Sequence, residues 1–200
     1  MKFLLAILAV AIAGPVAAND IDKVSQTARN SFFQMPIVRV VDQITGMCGV
    51  DEGVSSRAAY CTSANEILLI DWPGAAYALA HVLGHAVQVR HGVADVALRT
   101  IHARRSEEVT LRGYVEWQVD CIAGFLFWRA GIAPTSLTEF LDEDPFPGVH
   151  WGRNPLLVGP VVPAPPADRD DWFAIGQRGD IAACAVGEFG SELLVQAYRG

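Results

Sequence analysis

Apolar and polar positions along the chain alternate in ways that divide it into a few segments. An apolar run, Phe3–Ala13, opens it and is broken by Gly14-Pro15. Ile21–Phe33 mixes apolar and polar residues at helical spacing and predicts an amphipathic helix that Pro36 ends. A β-branched stretch, Ile37–Val41, follows. The chain from Cys48 to Cys61 is rich in Gly and Ser and reads as a loop. Glu66–Asp71 reads as a short buried strand, turned by Trp72-Pro73-Gly74.

Two strong helices are predicted next. The first runs from Ala75 to about His91, rich in Ala and Leu, with Gly92 where a C-terminal cap falls. The second, Leu111–Ala130, is mostly apolar and ends at Gly131. Between them, residues 95–109 are polar and basic, and read as either a helix or an excursion. Prolines crowd the segment from Pro134 to Pro166, at a density that blocks regular helix and central strand. This reads as an ordered surface loop at about 134–166. Asp168–Gly179 is again helical in pattern. The sum is a mostly helical α+β domain, with the two strong helices crossing beside a small sheet that contains Glu66–Asp71.

Composition sharpens this in three places. The run after Lys2, followed by Val16-Ala17-Ala18, has the form of a secretory signal peptide. It is short of the roughly 20 residues that a membrane span needs. Cleavage after Ala18 is expected, leaving one domain over 19–200, exported to the periplasm or secreted, with no membrane attachment. With 15 Lys+Arg against 22 Asp+Glu, the net charge of −7 offers no footprint for a phosphate backbone, so nucleic acid is excluded as a partner. Four cysteines, Cys48, Cys61, Cys121 and Cys184, are an even number in an exported chain and predict disulfides. Their spacing leaves all three pairings open.

The candidate chemistry lies on the two strong helices. His81 and His85 are four residues apart, so they share a helix face and can reach one metal ion. Two histidines at that spacing on a buried helix are also compatible with plain core packing. Glu116 and Asp120 repeat the spacing on the second helix, and their apolar flanks require partners for both carboxylates. A Glu ligand, with a second carboxylate accepting a hydrogen bond from a ligand imidazole, completes a metal site and its support.

These segments resemble the neutral zinc metallopeptidases of bacteria. The stretch Tyr77-Ala-Leu-Ala-His-Val-Leu-Gly-His-Ala-Val-Gln88 is similar to that family's zinc helix, which reads Ala-His-Glu-x-Gly-His-His-Val-Gln. Glu116-Trp-Gln-Val-Asp-Cys-Ile-Ala-Gly124 is similar to its Glu-Leu-Gln-Ala-Asp-Cys-x-Ala-Gly. Cys48-Gly49, Tyr60-Cys61, Arg169-Asp-Asp-Trp-Phe173 and Gly179-Asp-Ile-Ala-Ala-Cys184 follow the family's order over residues 48–184. The resemblance implies a zincin-type fold and one zinc ion held by His81, His85 and Glu116, with Asp120 supporting. It also implies Cys48–Cys61 and Cys121–Cys184 pairs, and a peptide or protein as substrate or partner.

The chain departs from the pattern where catalysis is concerned. The family's glutamate after the first histidine, the general base, is Val82 here, and valine can move no proton. The second of the paired histidines is Ala86. The family's histidine shortly before the Arg-x-x-Trp-Phe element is absent from Val162–Pro166, and the spacing of His150 does not supply it. Glu66, Glu107 and Glu108 read as structural or solvated acids rather than replacement bases, and His91 and His102 as surface residues. The expectation is an exported zinc metallopeptidase-like protein that keeps its zinc site but is hydrolytically impaired, and binds peptide or protein. An active zinc peptidase with a replacement base, and a metal-free interaction protein, are the alternatives.

Overall fold

The computed structural model describes residues 16–48, 56–139, 141–147, 150–152, 162 and 164–200. The expected signal segment lies mostly outside these residues, as do 49–55 of the expected loop and 153–161 of the Pro-rich segment. The architecture is mostly helical α+β. Helix α1 (Val16–Ser31) is followed by β1 (Ile37–Val40), β2 (Ala58–Cys61) and β3 (Glu66–Leu69). Then come α2 (Ala75–Arg90), α3 (Val93–Ala103), α4 (Glu108–Arg129), the two-residue strand β4 (Trp151–Gly152), α5 (Pro166–Gly176) and α6 (Glu192–Ala197).

The sheet order is β1-β3-β2-β4. β1 lies parallel to β3, β2 antiparallel to β3, and β4 parallel to β2. The end of the segment read as a Gly/Ser loop is therefore strand: Ala58–Cys61 is buried throughout and pairs with Glu66–Leu69. Local composition hid it, because burial on both faces removes the alternation that marks an exposed-face strand. Residues 95–109 are mainly helix, with α3 burying Val93, Ala94, Ala97 and Ile101 on one stripe. The short helix α6 is a further element, beyond those the sequence pattern predicts.

Helix α2 is the centre of the domain. It is buried from Tyr77 to Gln88, polar side chains included, and packs on α1, α4 and the sheet. Its C-terminus ends at His91, and Gly92 takes the left-handed backbone (φ 80°) that a side chain would strain. Two glycines let neighbouring backbones touch. A Cβ at Gly84 would lie 2.9 Å from Val119 Cγ1 and 3.0 Å from its carbonyl oxygen, so α4 crosses α2 closely between the two histidines. At Gly124 a Cβ would overlap the carbonyl of Phe173, which brings α5 down onto α4.

Both disulfides form. Cys48–Cys61 has a Cα–Cα distance of 5.3 Å and Cys121–Cys184 one of 5.5 Å. The second ties α4, one residue beyond Asp120, to the C-terminal part of the chain. Two disulfides suit an oxidising compartment. Among the described residues no helix is long and apolar enough to cross a membrane.

Candidate metal centre

Tyr77, His81 and His85 occupy successive turns of one face of α2. Glu116 and Asp120 occupy successive turns of α4. The close crossing at Gly84 turns these two faces toward each other. The third contributor is one whose sequence spacing does not point to the site. His150, just before β4, enters beside the two helices, and its backbone oxygen accepts a hydrogen bond of 2.8 Å from the Tyr60 N–H of β2. No periodicity marks His150, because an irregular chain places it; only the three-dimensional path brings it in.

Four potential ligand atoms converge. His150 Nε2 lies 3.0 Å from His81 Nε2 and 3.1 Å from His85 Nε2. Glu116 Oε2 lies 3.3, 3.6 and 3.7 Å from the Nε2 atoms of His81, His85 and His150. All four atoms lie within 4.8 Å of one another, and all four residues are buried. A tetrahedron with metal–ligand bonds of about 2.0–2.1 Å has edges of about 3.3–3.4 Å, which the observed spacings bracket.

Behind the ligands lies a polar network. Asp120, fully buried, is 2.8 Å from His81 Nδ1 and accepts from Tyr77 OH at 2.7 Å and from Arg169 Nη1 at 3.1 Å. This places the proton of neutral His81 on Nδ1 and aims the lone pair of Nε2 at the shared point. Arg169, from α5, also pairs with Asp144 at 3.2 Å. Phe146 lies flat against His81 and His150, with centroids at 4.0 and 4.4 Å, and closes the site on that side.

Burial pushes His85 down to about 3, so it is neutral at pH 7. Burial also pulls on His81, but the Asp120 carboxylate, with help from Glu116, carries it above the usual histidine value. Burial would raise Glu116, but the surrounding imidazoles hold its carboxyl well below the carboxylate range. A metal competes with protons for these same atoms.

The residues fit a divalent cation on two further grounds. Glu116 Oε2 is buried and makes no well-directed hydrogen bond, although three nitrogens surround it. In addition, among the described residues Glu116, Asp120 and Asp144 set three carboxylates against the guanidinium of Arg169, a formal charge of minus two for these four groups. Imidazole and carboxylate donors in a tetrahedral array suit zinc. Bound there, a zinc ion would supply Lewis acidity, and His81, His85, Glu116 and His150 would hold it.

Val82 is fully buried among apolar side chains, so no carboxylate stands at the base position next to His81. Glu66, Glu107 and Glu108 are engaged with Arg39, Arg104 and Arg112, away from the centre. His102 is exposed, whereas His91, read as a surface residue, is half-buried against Phe32 with ring centroids 6.0 Å apart.

No family model, curated protein or solved structure matches this chain.

Proposed function

We propose that this is an exported zinc-binding protein of the neutral metallopeptidase type. It retains the metal centre, has lost efficient hydrolysis, and acts by binding peptide or protein. The observation that carries this reading is the convergence of three imidazole nitrogens and one carboxylate oxygen beside Val82, with no proton-transfer group in the glutamate's place. General acid–base help is worth roughly 10²–10⁴-fold, so its loss leaves at most slow hydrolysis. The ordered motif resemblance over residues 48–184, the crossing of the two ligand helices and the sheet beside them support a zincin-type arrangement. The two disulfides and the apolar N-terminal run support export.

The test is metal analysis of the purified protein, together with a casein assay. The expected result is one zinc per chain, lost in His85→Ala and Glu116→Ala, with casein hydrolysis at background. A protein that purifies without metal and takes up none overturns the metal reading. Rapid, chelator-sensitive casein cleavage overturns the impaired one.

A further inference from the structure

The feature that a hydrolytic centre does not call for is His150. Catalytic zinc sites use three protein ligands and keep the fourth position for water or substrate, whereas structural sites are closed by four protein ligands. Here the chain itself reaches that fourth position. Three contacts hold the described part of the segment that carries His150. Asp144 pairs with Arg169 and accepts the N–H of Phe146 at 3.0 Å. Phe146 is almost fully buried against His81. The His150 carbonyl takes the Tyr60 N–H, and Trp151 pairs with Tyr60 in the sheet, so β4 covers the outer edge of β2.

We propose that residues 141–147 and 150–152 form a built-in occupant of the metal site. His150 fills the coordination position that a hydrolytic centre leaves open, and β4 fills the adjoining sheet edge. This rests on the metal-binding reading above and specifies how that site is regulated: the centre is closed by an internal ligand. The metal acts as a clasp between α2, α4 and this segment, and a peptide or protein ligand that reaches it must first displace His150. Hydrolysis is then blocked twice, by the missing base at Val82 and by the missing open position.

Cobalt(II) in place of zinc is the probe, because its visible absorption reports coordination number. The wild-type protein is expected to show the strong absorption of a four-coordinate site, unmoved by added azide. His150→Gly is expected to lose more affinity than the roughly 10–100-fold that removing an outer partner costs. Its spectrum should also shift with added azide, and return to the wild-type form when free imidazole is added. A wild-type spectrum that shifts with azide overturns the proposal, as does a His150→Gly protein with unchanged spectrum and affinity. In both of these cases the metal-binding reading stands; a wild-type protein that binds neither cobalt nor zinc sinks both.

Should His150→Gly fail to fold, hydrogen exchange of the wild-type protein decides. Chelation should speed exchange of the Tyr60 amide by at least ~10-fold while Ile67 and Leu68 in β3 stay protected. Equal protection of Tyr60 with and without metal overturns the proposal.

Discussion

Loss of Arg169 should cost the fold heavily. Its side chain is 1% exposed and bridges Asp120, which has no exposure at all, and Asp144. Arg169→Leu keeps much of the volume but removes the guanidinium that, among the described residues, pairs with Asp120. Tyr77 OH and His81 remain; Tyr77 carries no charge, and His81 carries one only below its raised folded value, so the loss is read above that pH. Removing one partner of a buried ion pair typically costs about 3–5 kcal/mol, because the other charge is left uncompensated. In a domain of this size, each kcal/mol moves the melting temperature by about 2–4 °C, so a fall of roughly 6–20 °C is expected.

Calorimetry or circular dichroism of the chelated protein measures this. The pair can be separated from lost packing by a double-mutant cycle with Asp120→Asn, which removes the stranded charge. The double variant should recover part of the loss. Arg169→Lys should fall in between, since an ammonium is a point charge that cannot fork to two carboxylates. Zinc affinity provides an independent reading: Asp120 orients His81, so loosening Asp120 should weaken metal binding about 10–100-fold. A melting temperature within ~2 °C of wild type, with no coupling to Asp120→Asn, would refute the assignment of Arg169 as the charge partner that holds this network.

Gly124→Ala should destabilise by about 1–3 kcal/mol in urea titrations, because its Cβ would overlap the Phe173 carbonyl and only a backbone shift relieves that. Breaking Cys121–Cys184, which spans 63 residues, should cost about 4 kcal/mol by loop entropy, against about 3 kcal/mol for Cys48–Cys61, which spans 13. Serine double variants compared by denaturant midpoint test that order. The metal-free protein should be most stable near pH 6.5. Below that, His85, held at about 3 when folded, stays neutral while the unfolded chain takes up its proton, so stability falls by about 1.4 kcal/mol per pH unit. Glu116, whose folded value lies below the ordinary one, adds to the loss once the pH drops under the usual carboxylate range. Above pH 6.5, the raised value of His81 means its contribution fades as pH rises through that folded value. Thermal melts in chelator across this range check the bell shape, and a stability that climbs steadily toward acid would contradict it.

What could be read from the sequence is what depends on helical period. His81 with His85, and Glu116 with Asp120, share faces because four residues span about one turn, whatever the rest of the fold does. Buried carboxylates on an apolar helix also had to face polar groups: Asp120 meets His81, and Glu116 faces three imidazoles. The partner of Asp120 was less legible: Arg169 lies on a helix 49 residues away and nothing local ties the two. His150 was illegible for a stronger reason. Its position is set by a Pro-rich path, by an ion pair from Asp144, by the stacking of Phe146 and by one backbone hydrogen bond to β2. None of these is a spacing. The same fact bears on the function. Candidate ligands placed by helical period persist in any chain that keeps the two helices, so under the proposed metal reading His81, His85 and Glu116 alone do not distinguish a working hydrolase from a closed site. The residue that distinguishes them sits on the irregular segment, where the chain itself can fill the position that catalysis requires to stay open.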